Sequence, residues 1–469
     1  MYVEQIFTSC LAEMAYYIES EGEAVIIDPL RETTPYIEKA NSRGAKIKYV
    51  FLTHFHADFV SGHVDLAQQT GAKIVFGPNA ETSFDFHSGS DNEEFKIGDI
   101  SLKLLHTPGH TMESSSYLLI DEKGETPYIF TGDTLFIGDV GRPDLAVKSD
   151  LTQTDLAGYL FDSLRKKIMP LPNNIIIYPA HGAGSSCGKN MSSETFDTLR
   201  NQKETNYALR ADMTKDEFIE EVTTGLKTPP QYFPKNVGMN KGINKNFDTI
   251  LADGKKPLSV EEFKTLTTNG ALILDVRPTA AFIKEHIPNS LFIGLDGGFA
   301  PWVGTLIEDD NTPIILVTAE GKEEEAITRL SRVGYDNTQG FLYGGIDAWK
   351  KSGENLANVK SVSCTDFSAK LKAESSIIDV RKETEYFSEH IVHDHLINSP
   401  LDKIYSNYSS IENKEQFVHC AGGYRSVIAI SILKAKGFHK LINVEGGFGA
   451  IKKEGHIETS EWACPTTMK

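Results

Sequence analysis

Residues 53 to 59 read T-H-F-H-A-D-F, and this stretch decides how the first half of the chain is interpreted. It follows an apolar run, Lys48 to Leu52, whose length and β-rich composition predict a buried strand. His54, His56 and Asp58 then alternate where the strand gives way to a loop. Two imidazoles and a carboxylate in this layout indicate a metal site. Zn, Fe, Cu and Ni all accept such ligands, so the cluster alone does not choose the metal.

The composition bounds the classes of protein to consider. At 469 residues the chain is too long for one ordinary core, and its length predicts about three domains. The formal net charge of −18 argues against a nucleic-acid partner. No run approaches the roughly 20 apolar residues that cross a bilayer, and the N-terminus lacks a signal-peptide pattern. We therefore expect a cytoplasmic protein without a membrane partner. Five scattered cysteines, none in a C-x-x-C pair, argue against a disulfide framework.

Short strands and helices alternate through the first half of the chain. Strands are predicted from Glu23 to Pro29 and from Lys73 to Phe76, and helices from Tyr36 to Ser42 and from Gly62 to Thr70. This alternation predicts sheets covered by helices, the α/β layering.

Two later stretches add further candidate ligands. Residues 105 to 111 read L-H-T-P-G-H-T, where a Pro-Gly turn presents His110 at a loop. Residues 129 to 136 read I-F-T-G-D-T-L-F, where an apolar strand ends and presents Asp133. Each stretch alone is a weak signal, because a turn histidine or a strand-end aspartate is usually structural.

Taken in order, these motifs resemble the metallo-β-lactamase superfamily. The matched features are the H-x-H-x-D motif, the T-P-G-H-T turn, the T-G-D-T-L-F strand end and the Y-P-A-H-G segment at residues 178 to 182. The resemblance covers roughly residues 1 to 245. It implies an αββα sandwich, with the metal site at one edge of the two sheets.

Phe59 departs from the pattern of the two-metal members of that superfamily. In the hydrolytic glyoxalase II group, the position after the motif's aspartate is a histidine that ligates the second metal. Phenylalanine has no lone pair to donate. A second ion that depends on His181 and Asp58 should therefore be poorly held.

The resemblance then implies one metal per chain, at His54, His110 and Asp133. Two imidazoles and one carboxylate with open positions are the facial triad of non-haem Fe(II) that activates O₂. Residues 138 to 145, G-D-V-G-R-P-D-L, resemble the G-R-x-D segment of the persulfide dioxygenase branch, so the implied cofactor is one Fe(II) rather than zinc. His56 and Asp58 would orient ligands or substrate.

Four further residues are assigned less sharply to the same site. His181 and Asp144 are expected near the metal or the substrate. Arg142 either contacts an anionic thiol substrate directly or pairs with a carboxylate such as Asp144, and both readings stay open. Cys187, in the G-S-S-C-G loop that follows His181, either handles sulfur or is merely tolerated there.

The second half of the chain is an internal repeat. A proline-rich and then polar stretch from Thr228 to Asn246 predicts a linker. The motif L-D-V-R at residues 274 to 277 returns as I-D-V-R at residues 378 to 381, 104 positions later. A repeat of this length indicates duplicated domains, each with short strands and helices that predict a parallel sheet. The predicted domains are residues 1–245, 246–356 and 357–469.

The second copy carries a candidate nucleophile. Cys420 ends a strand above a glycine-containing loop that opens a helix, where backbone N–H groups, the helix terminus and Arg425 favour a thiolate. This copy resembles the rhodanese family of sulfurtransferases, whose loop cysteine carries a sulfane sulfur. In the first copy the corresponding residues are Thr318 and Glu323, which implies a degenerate, structural rhodanese domain.

The resemblances imply a bifunctional enzyme of persulfide and sulfide detoxification. A low-molecular-weight thiol persulfide and O₂ would give thiol and sulfite, and Cys420 would transfer a sulfane sulfur to sulfite to form thiosulfate. The direction of sulfur flow and the identity of the thiol stay open. The superfamily also implies a homo-oligomer, a dimer or tetramer. The alternatives are a Zn-dependent glyoxalase II-type thioester hydrolase and a persulfide sensor.

Overall fold

A computed structural model describes residues 1–147, 150–226 and 228–463. Cys464 lies outside the described residues. The chain divides into two compact units. Unit 1 comprises Met1–Thr249 and Leu330–Gly334, and unit 2 comprises Ile250–Arg329 and Tyr335–Lys469. Among the described residues, no helix combines the length and apolar character needed to cross a membrane.

Unit 1 contains two six-stranded sheets with helices outside them. Its strands are β1 (Tyr2–Thr8), β2 (Glu13–Ser20), β3 (Glu23–Ile27), β4 (Lys46–Phe51), β5 (Lys73–Phe76), β6 (His87–Ser88), β7 (Glu94–Ile97), β8 (Ile100–His106), β9 (Ser115–Ile120), β10 (Tyr128–Gly132), β11 (Ile176–Pro179) and β12 (Asp197–Thr198). Its helices are α1 (Thr34–Ser42), α2 (His63–Thr70), α3 (Gln153–Ser163), α4 (Leu199–Thr205), α5 (Lys215–Thr223) and α6 (Phe233–Lys241), and α7 (Phe247–Gly254) leads into unit 2. The first sheet has the order β1-β2-β3-β4-β5-β6 and the second the order β12-β11-β10-β9-β8-β7.

The hydrophobic pattern of β2 shows why two layers form. Met14 and Tyr16 join the core between the sheets, where they meet residues of the second sheet such as Phe130. The alternate residue Tyr17 packs in a second core with Tyr36 of α1. A third core joins the outer face of the second sheet to α3 and α5. Because strand side chains alternate between faces, each sheet buries both of its faces. The predicted αββα sandwich is confirmed.

The candidate ligands follow strands that end at one edge of these sheets. β3 and β4 are parallel neighbours that pair Ile27 with Phe51, so the segments that begin at Asp28 and Leu52 emerge side by side. β10 and β11 are also parallel and pair Gly132 with Pro179. Parallel strands end at the same edge of their sheet. The fold therefore collects side chains from distant parts of the chain at one place.

The predicted linker from Thr228 to Asn246 is wrong for its central part. Helix α6 occupies Phe233–Lys241, and Pro234 lies at its start, where proline lacks only a hydrogen bond that the first turn would not make. Asn236 and Asn240 are buried in unit 1. A proline followed by polar residues resembled a boundary, but both amides lie in the protein interior, and that of Asn240 pairs there with backbone carbonyls.

Unit 2 contains two five-stranded sheets with the same topology. The strands are β13 (Pro257–Leu258), β14 (Leu272–Asp275), β15 (Leu291–Phe292), β16 (Ile314–Val317), β17 (Thr338–Leu342), β18 (Lys360–Val362), β19 (Ile377–Asp379), β20 (Leu396–Asn398), β21 (Gln416–His419) and β22 (Leu441–Val444). The sheet orders are β13-β17-β16-β14-β15 and β18-β22-β21-β19-β20, and all the pairings are parallel. The helices are α8 (Val260–Thr268), α9 (Thr279–Lys284), α10 (Phe299–Leu306), α11 (Glu323–Arg332), α12 (Gly345–Lys351), α13 (Cys364–Lys370), α14 (Glu383–Ser388), α15 (Ile404–Asn407), α16 (Tyr424–Ala435) and α17 (Gly447–Glu454). The prediction of two α/β domains with parallel sheets is confirmed.

Candidate metal centre and sulfurtransferase loop

Asp28 anchors the start of the histidine motif. Its carboxylate accepts hydrogen bonds from the Thr53 backbone N–H and the Thr53 hydroxyl, both at 2.8 Å. Its Oδ1 also lies 3.0 Å from Nε2 of His56. Asp28 has a φ of 52°, an uncommon left-handed conformation outside glycine. One carboxylate thus fixes the backbone before His54 and the orientation of the His56 ring.

Hydrogen bonds to Nδ1 set the tautomers of the two candidate imidazole ligands. The Thr53 hydroxyl proton points to Asp28, so the Thr53 oxygen accepts from Nδ1 of His54 at 2.9 Å. Nδ1 of His110 donates to the backbone carbonyl of Arg142 at 2.8 Å. Each ring therefore keeps a free lone pair on Nε2.

Those Nε2 atoms converge on one oxygen of Asp133. The distances to Oδ2 of Asp133 are 3.8 Å from His54 and 3.5 Å from His110. All three side chains are buried, and neither Asp133 oxygen accepts a hydrogen bond within the described residues. A buried carboxylate without a partner is costly, so this donor set fits a divalent cation.

Burial and the neighbouring imidazoles lower the pKa of His54 well below its ordinary value, which favours the neutral form that coordinates a metal. For His56, burial alone would lower the pKa. The charge and hydrogen bonding of Asp28 outweigh that effect and raise the pKa of His56. The two histidines of the H-x-H motif therefore lie in opposite electrostatic environments.

A second set of possible metal-ligating atoms lies near Oδ1, the other carboxylate oxygen of Asp133. Nε2 of His181 lies 3.6 Å from Oδ1 of Asp133 and 3.5 Å from Oδ2 of Asp58. His56, Asp58 and His181 offer ligand atoms within 4.8 Å of one another, and so do Asp133, His181 and Cys187. Phe59 is fully buried, and its ring centroid lies 4.4 Å from that of His56. The side chain that follows the motif's aspartate is thus an apolar ring packed beside the site.

Arg142 holds the loop that carries Cys187. Its guanidinium makes a two-point pair with Asp144, at 2.6 and 2.7 Å, and donates to the Ser186 carbonyl at 3.2 Å. Its backbone N–H donates to the Cys187 carbonyl at 3.0 Å. The carboxylate pair that was one of the two contacts predicted for Arg142 is present.

The Cys187 thiol is 1% exposed and lies beside Asp133 and His181. Burial, followed by the nearby Asp58 and Asp133 carboxylates, raises the pKa of Cys187 well above its ordinary value. The thiol is therefore protonated at neutral pH unless a positive charge enters the site.

Two residues that support the site were not predicted from the sequence. Asn240 donates to the carbonyls of His56 and Phe59, both at 2.8 Å, and accepts from the Ser61 N–H at 2.8 Å. Its partners lie about 180 positions earlier, so no local pattern could have revealed it. Asp28 carried a usable signal, because it ends a strand that can lie parallel to the strand before the histidine motif.

The loop that carries Cys420 lies between β21 and α16. Cys420 is 1% exposed, and its Sγ accepts the Gly423 backbone N–H at 3.0 Å. Arg425 forms a two-point pair with the Glu385 carboxylate at 2.6 and 2.8 Å. Burial opposes ionisation of Glu385, but hydrogen bonds and charge from Arg425 outweigh it and lower the pKa of Glu385. The predicted cysteine thus lies in the loop after β21 and the predicted arginine in the first turn of α16, where Glu385 is the partner of the arginine.

In the first rhodanese copy, the corresponding loop has a hydroxyl and a carboxylate in place of the thiol and the guanidinium. The Thr318 hydroxyl donates to the Glu323 carboxylate at 3.0 Å. Glu323 begins α11, whose first turn carries three glutamates. Negative charge at this position disfavours a bound oxyanion.

Known families match both halves of the chain. The model of the metallo-beta-lactamase superfamily matches residues 9–181, and the rhodanese-like domain model matches residues 259–352 and 363–454. The human persulfide dioxygenase ETHE1, mitochondrial, is 33% identical over 183 residues, which cover 38% of this chain and 67% of that protein. The hydroxyacylglutathione hydrolase GloC of Haemophilus influenzae is 29% identical over 200 residues, which cover 38% of this chain and 89% of that protein. For these and other curated relatives, the matched stretch spans 53% to 89% of the relative's own length.

A solved structure resembles more of the chain. The metallo-beta-lactamase from Staphylococcus aureus subsp. aureus COL is 30% identical, with a TM-score of 0.63. The match covers 73% of this chain and 98% of that one, so it extends beyond the metal-binding half. The chain therefore belongs to the metallo-β-lactamase superfamily, and two rhodanese-like domains follow its metallo-β-lactamase domain.

Proposed function

We propose that unit 1 is an iron(II)- and O₂-dependent persulfide dioxygenase and that the second rhodanese domain is a sulfurtransferase. The observation that carries the proposal is the pairing of a buried His54, His110 and Asp133 triad with an apolar side chain at Phe59. The triad is the donor set of mononuclear iron oxygenases, and Phe59 removes a donor that hydrolytic relatives use for a second ion.

The reaction proposed for unit 1 is R–S–SH + O₂ + H₂O → R–SH + SO₃²⁻ + 2H⁺. Iron(II) held by His54, His110 and Asp133 would supply the redox chemistry that couples reduction of O₂ to oxidation of the outer sulfur. The chain's own contribution is positioning. Thr53 and the Arg142 carbonyl hold the two imidazoles in the tautomer that leaves Nε2 free.

The surroundings of the triad suit a persulfide anion. His56 has a raised pKa and is held by Asp28, so it can present a positive charge or a proton near the substrate. The three ligand side chains are at most 2% exposed, which keeps bulk water away from the oxidised sulfur. Arg142 acts here through the loops that it holds, because its guanidinium pairs with Asp144.

The sulfur transfer at Cys420 has two steps. In the first, Cys420–S⁻ + R–S–SH → Cys420–S–S⁻ + R–SH. In the second, Cys420–S–S⁻ + SO₃²⁻ → Cys420–S⁻ + S₂O₃²⁻, which uses the sulfite made by unit 1. The Gly423 N–H, 3.0 Å from Sγ, stabilises negative charge on the sulfur, and the Arg425 guanidinium, paired with Glu385, lies in the first turn of the helix that follows the loop.

The relatives include both candidate chemistries at similar identity, 33% for a persulfide dioxygenase and 29% for a hydroxyacylglutathione hydrolase. A zinc-dependent thioester hydrolase is therefore the second candidate, and the donors around His181 and Asp58 favour it. Elemental analysis of protein as isolated separates the two. About one iron per chain supports the dioxygenase, and two zinc ions per chain support the hydrolase.

Two variants test the assignment of the two sites. We expect His110→Ala, reconstituted with iron under anaerobic conditions, to lose O₂ uptake with a thiol persulfide while Cys420 still reacts with an alkylating agent. We expect Cys420→Ser to produce sulfite but no thiosulfate. Undiminished O₂ uptake in the first variant would refute the iron site, and thiosulfate from the second would refute the sulfurtransferase.

A further inference from the structure

Helix α16, whose first turn carries Arg425, is buried all round for most of its length. Every residue from Ser426 to Leu433 is buried, although a helix that covers a sheet normally leaves one face to solvent. Strands β21 and β22 of its own sheet cover one side. Strand β15, at the edge of the sheet of the first rhodanese copy, covers another, and its Phe292 N–H donates to the Ser431 hydroxyl at 3.1 Å. The first copy therefore completes the burial of this helix.

Tyr424, the first residue of α16, reaches into the first rhodanese copy. Its hydroxyl donates to the Gly294 carbonyl at 2.8 Å, and its ring centroid lies 5.9 Å from that of Phe292. Burial, followed by the charge of Asp296, raises the pKa of Tyr424, so the hydroxyl keeps the proton that it donates. Gly297 leaves room for the ring, since a Cβ atom there would lie 2.2 Å from Cζ of Tyr424. The loop after β15 thus forms a socket for this side chain.

The loop between Cys420 and Tyr424 is held from two sides. At its start, the Cys420 carbonyl accepts from the Phe448 N–H of α17 at 2.7 Å, within the second copy. At its end, Gly423, whose N–H lies 3.0 Å from the Cys420 Sγ, is bonded directly to Tyr424. A displacement of Tyr424 therefore moves the N–H group that stabilises negative charge on the sulfur.

We propose that the first rhodanese copy, with a hydroxyl in place of the thiol, is a positioning part of the Cys420 site. Through Gly294 and Gly297 it holds Tyr424. Tyr424 in turn fixes where the Gly423 N–H lies relative to the sulfur. Tyr424 is a positioning residue, because its hydroxyl bonds to a carbonyl of the other copy and not to the reacting atom. The consequence for turnover rests on the sulfurtransferase proposed above.

The exchange Gly297→Ala tests the inference from the first copy. Its Cβ displaces the Tyr424 ring, and the φ of Gly297 lies outside the left-handed region, so the backbone accepts alanine. Thiosulfate formation from added thiol persulfide and sulfite is measured on the full chain without O₂. We expect a fall of about 10- to 100-fold, the cost of a reacting group misplaced by about 1 Å. The matched control Gly298→Ala, whose Cβ would lie 3.5 Å from Trp302, should keep the parent rate.

A comparison of double variants separates positioning from a general loss of structure. Tyr424→Ala removes the ring, so adding Gly297→Ala to it should have no further effect. Two exchanges that act independently would instead multiply their effects. Tyr424→Phe keeps the ring in the socket and loses only the hydrogen bond, so we expect a fall of about fivefold, the equivalent of one hydrogen bond.

The alkylation rate of Cys420, followed by mass analysis of its peptide, needs no turnover. Sulfur that loses the Gly423 N–H is less often a thiolate, so Gly297→Ala should alkylate more slowly than the parent. A domain that merely unfolds would expose the thiol, which is 1% exposed in the fold, and would alkylate faster. A parent that forms no thiosulfate would refute the proposed sulfurtransferase and leave the alkylation comparison valid. Parent rates in Gly297→Ala, multiplied effects in the double variant, or faster alkylation would overturn the inference.

Discussion

The backbone carbonyl of Arg142 accepts a hydrogen bond from Nδ1 of His110 at 2.8 Å. The N–H of the same residue donates to the Cys187 carbonyl at 3.0 Å. One peptide segment therefore orients a candidate metal ligand and positions the loop that carries Cys187. The G-D-V-G-R-P-D-L stretch therefore supports the site through its backbone as well as through the Arg142 side chain.

Gly141 tests this role of the backbone. A Cβ atom at Gly141 would lie 2.0 Å from the Asp133 carbonyl oxygen and 3.0 Å from Nδ1 of His110. We expect Gly141→Ala to push the backbone away and to weaken metal binding by about 10- to 100-fold, the range for lost ligand support. Competition with a chelator measures the affinity. Gly238→Ala is the matched control, because no atom lies within 4 Å of its added Cβ. Equal affinity in Gly141→Ala would show that the close approach is unimportant.

Asn240 should be a large contributor to the stability of unit 1. Its side chain makes three buried hydrogen bonds to the backbone of His56, Phe59 and Ser61. Removing a partner of buried backbone groups costs about 1–3 kcal/mol for each group. We expect Asn240→Ala to lower the free energy of opening of unit 1 by roughly 3 kcal/mol or more, measured by hydrogen exchange. Asn244→Ala loses one partly buried bond to the Met239 carbonyl and should cost about 1 kcal/mol. Similar losses in the two variants would contradict the account.

The contrast between His110 and Asn240 shows what the sequence could predict. Each candidate ligand lies in a short motif at the end of an apolar strand or in the turn after it, so strand patterns and a recognisable motif located it. Asn240 and Asp28 act on the backbone of distant segments, and their partners depend on how helices and strands pack. The linker prediction was wrong for the same reason, because a sequence shows that the amide residues of α6 are polar but not that they are buried.

His63 should make unit 1 sensitive to acid. The ring is 1% exposed, and its centroid lies 5.1 Å from that of Phe84. Burial, with smaller effects from His56 and Arg31, lowers the pKa of His63 to about 3. In the unfolded chain the pKa of this histidine is about 6.5, so between about pH 6.5 and 3 the unfolded chain binds a proton that the folded chain does not. The free energy of unfolding therefore falls as the pH drops from about 6.5 towards 3.

At pH 5 this difference amounts to about 2 kcal/mol relative to neutral pH. We expect His63→Phe, an apolar ring of similar size, to lose that part of the pH dependence. Hydrogen exchange of unit 1 at pH 7 and pH 5, corrected for the intrinsic exchange rate, measures the difference. A variant with the same pH dependence as the parent would show that the ring does not titrate in this way.

The first rhodanese copy should not regain activity from a cysteine alone. Thr318 occupies the position of Cys420, but its hydroxyl donates to the Glu323 carboxylate at 3.0 Å. A thiolate beside that carboxylate would be destabilised by charge repulsion. In a Cys420→Ser background we therefore expect Thr318→Cys to form no thiosulfate and to alkylate more slowly than Cys420 does. Adding Glu323→Arg should speed the alkylation. Thiosulfate formation after the Thr318→Cys exchange alone would show that Glu323 does not prevent activity in this copy.

The rhodanese half was more predictable than the metal half. Its cysteine, its arginine and the glycines between them lie within six residues of one another in sequence. The duplicated topology was predicted from one repeated motif. The role of Glu385 was not visible, even though it lies four residues after the repeated I-D-V-R motif. Its pairing with Arg425 depends on the packing of α14 against the loop, which sequence spacing does not show.

O₂ uptake is the measurement that tests the proposed reaction most directly. Protein reconstituted with one iron(II) per chain should consume O₂ when a low-molecular-weight thiol persulfide is added. In Cys420→Ser, where no sulfite is diverted to thiosulfate, one sulfite should form for each O₂ consumed. Absence of O₂ uptake by the iron-loaded protein across a panel of thiol persulfides would contradict the proposed dioxygenase.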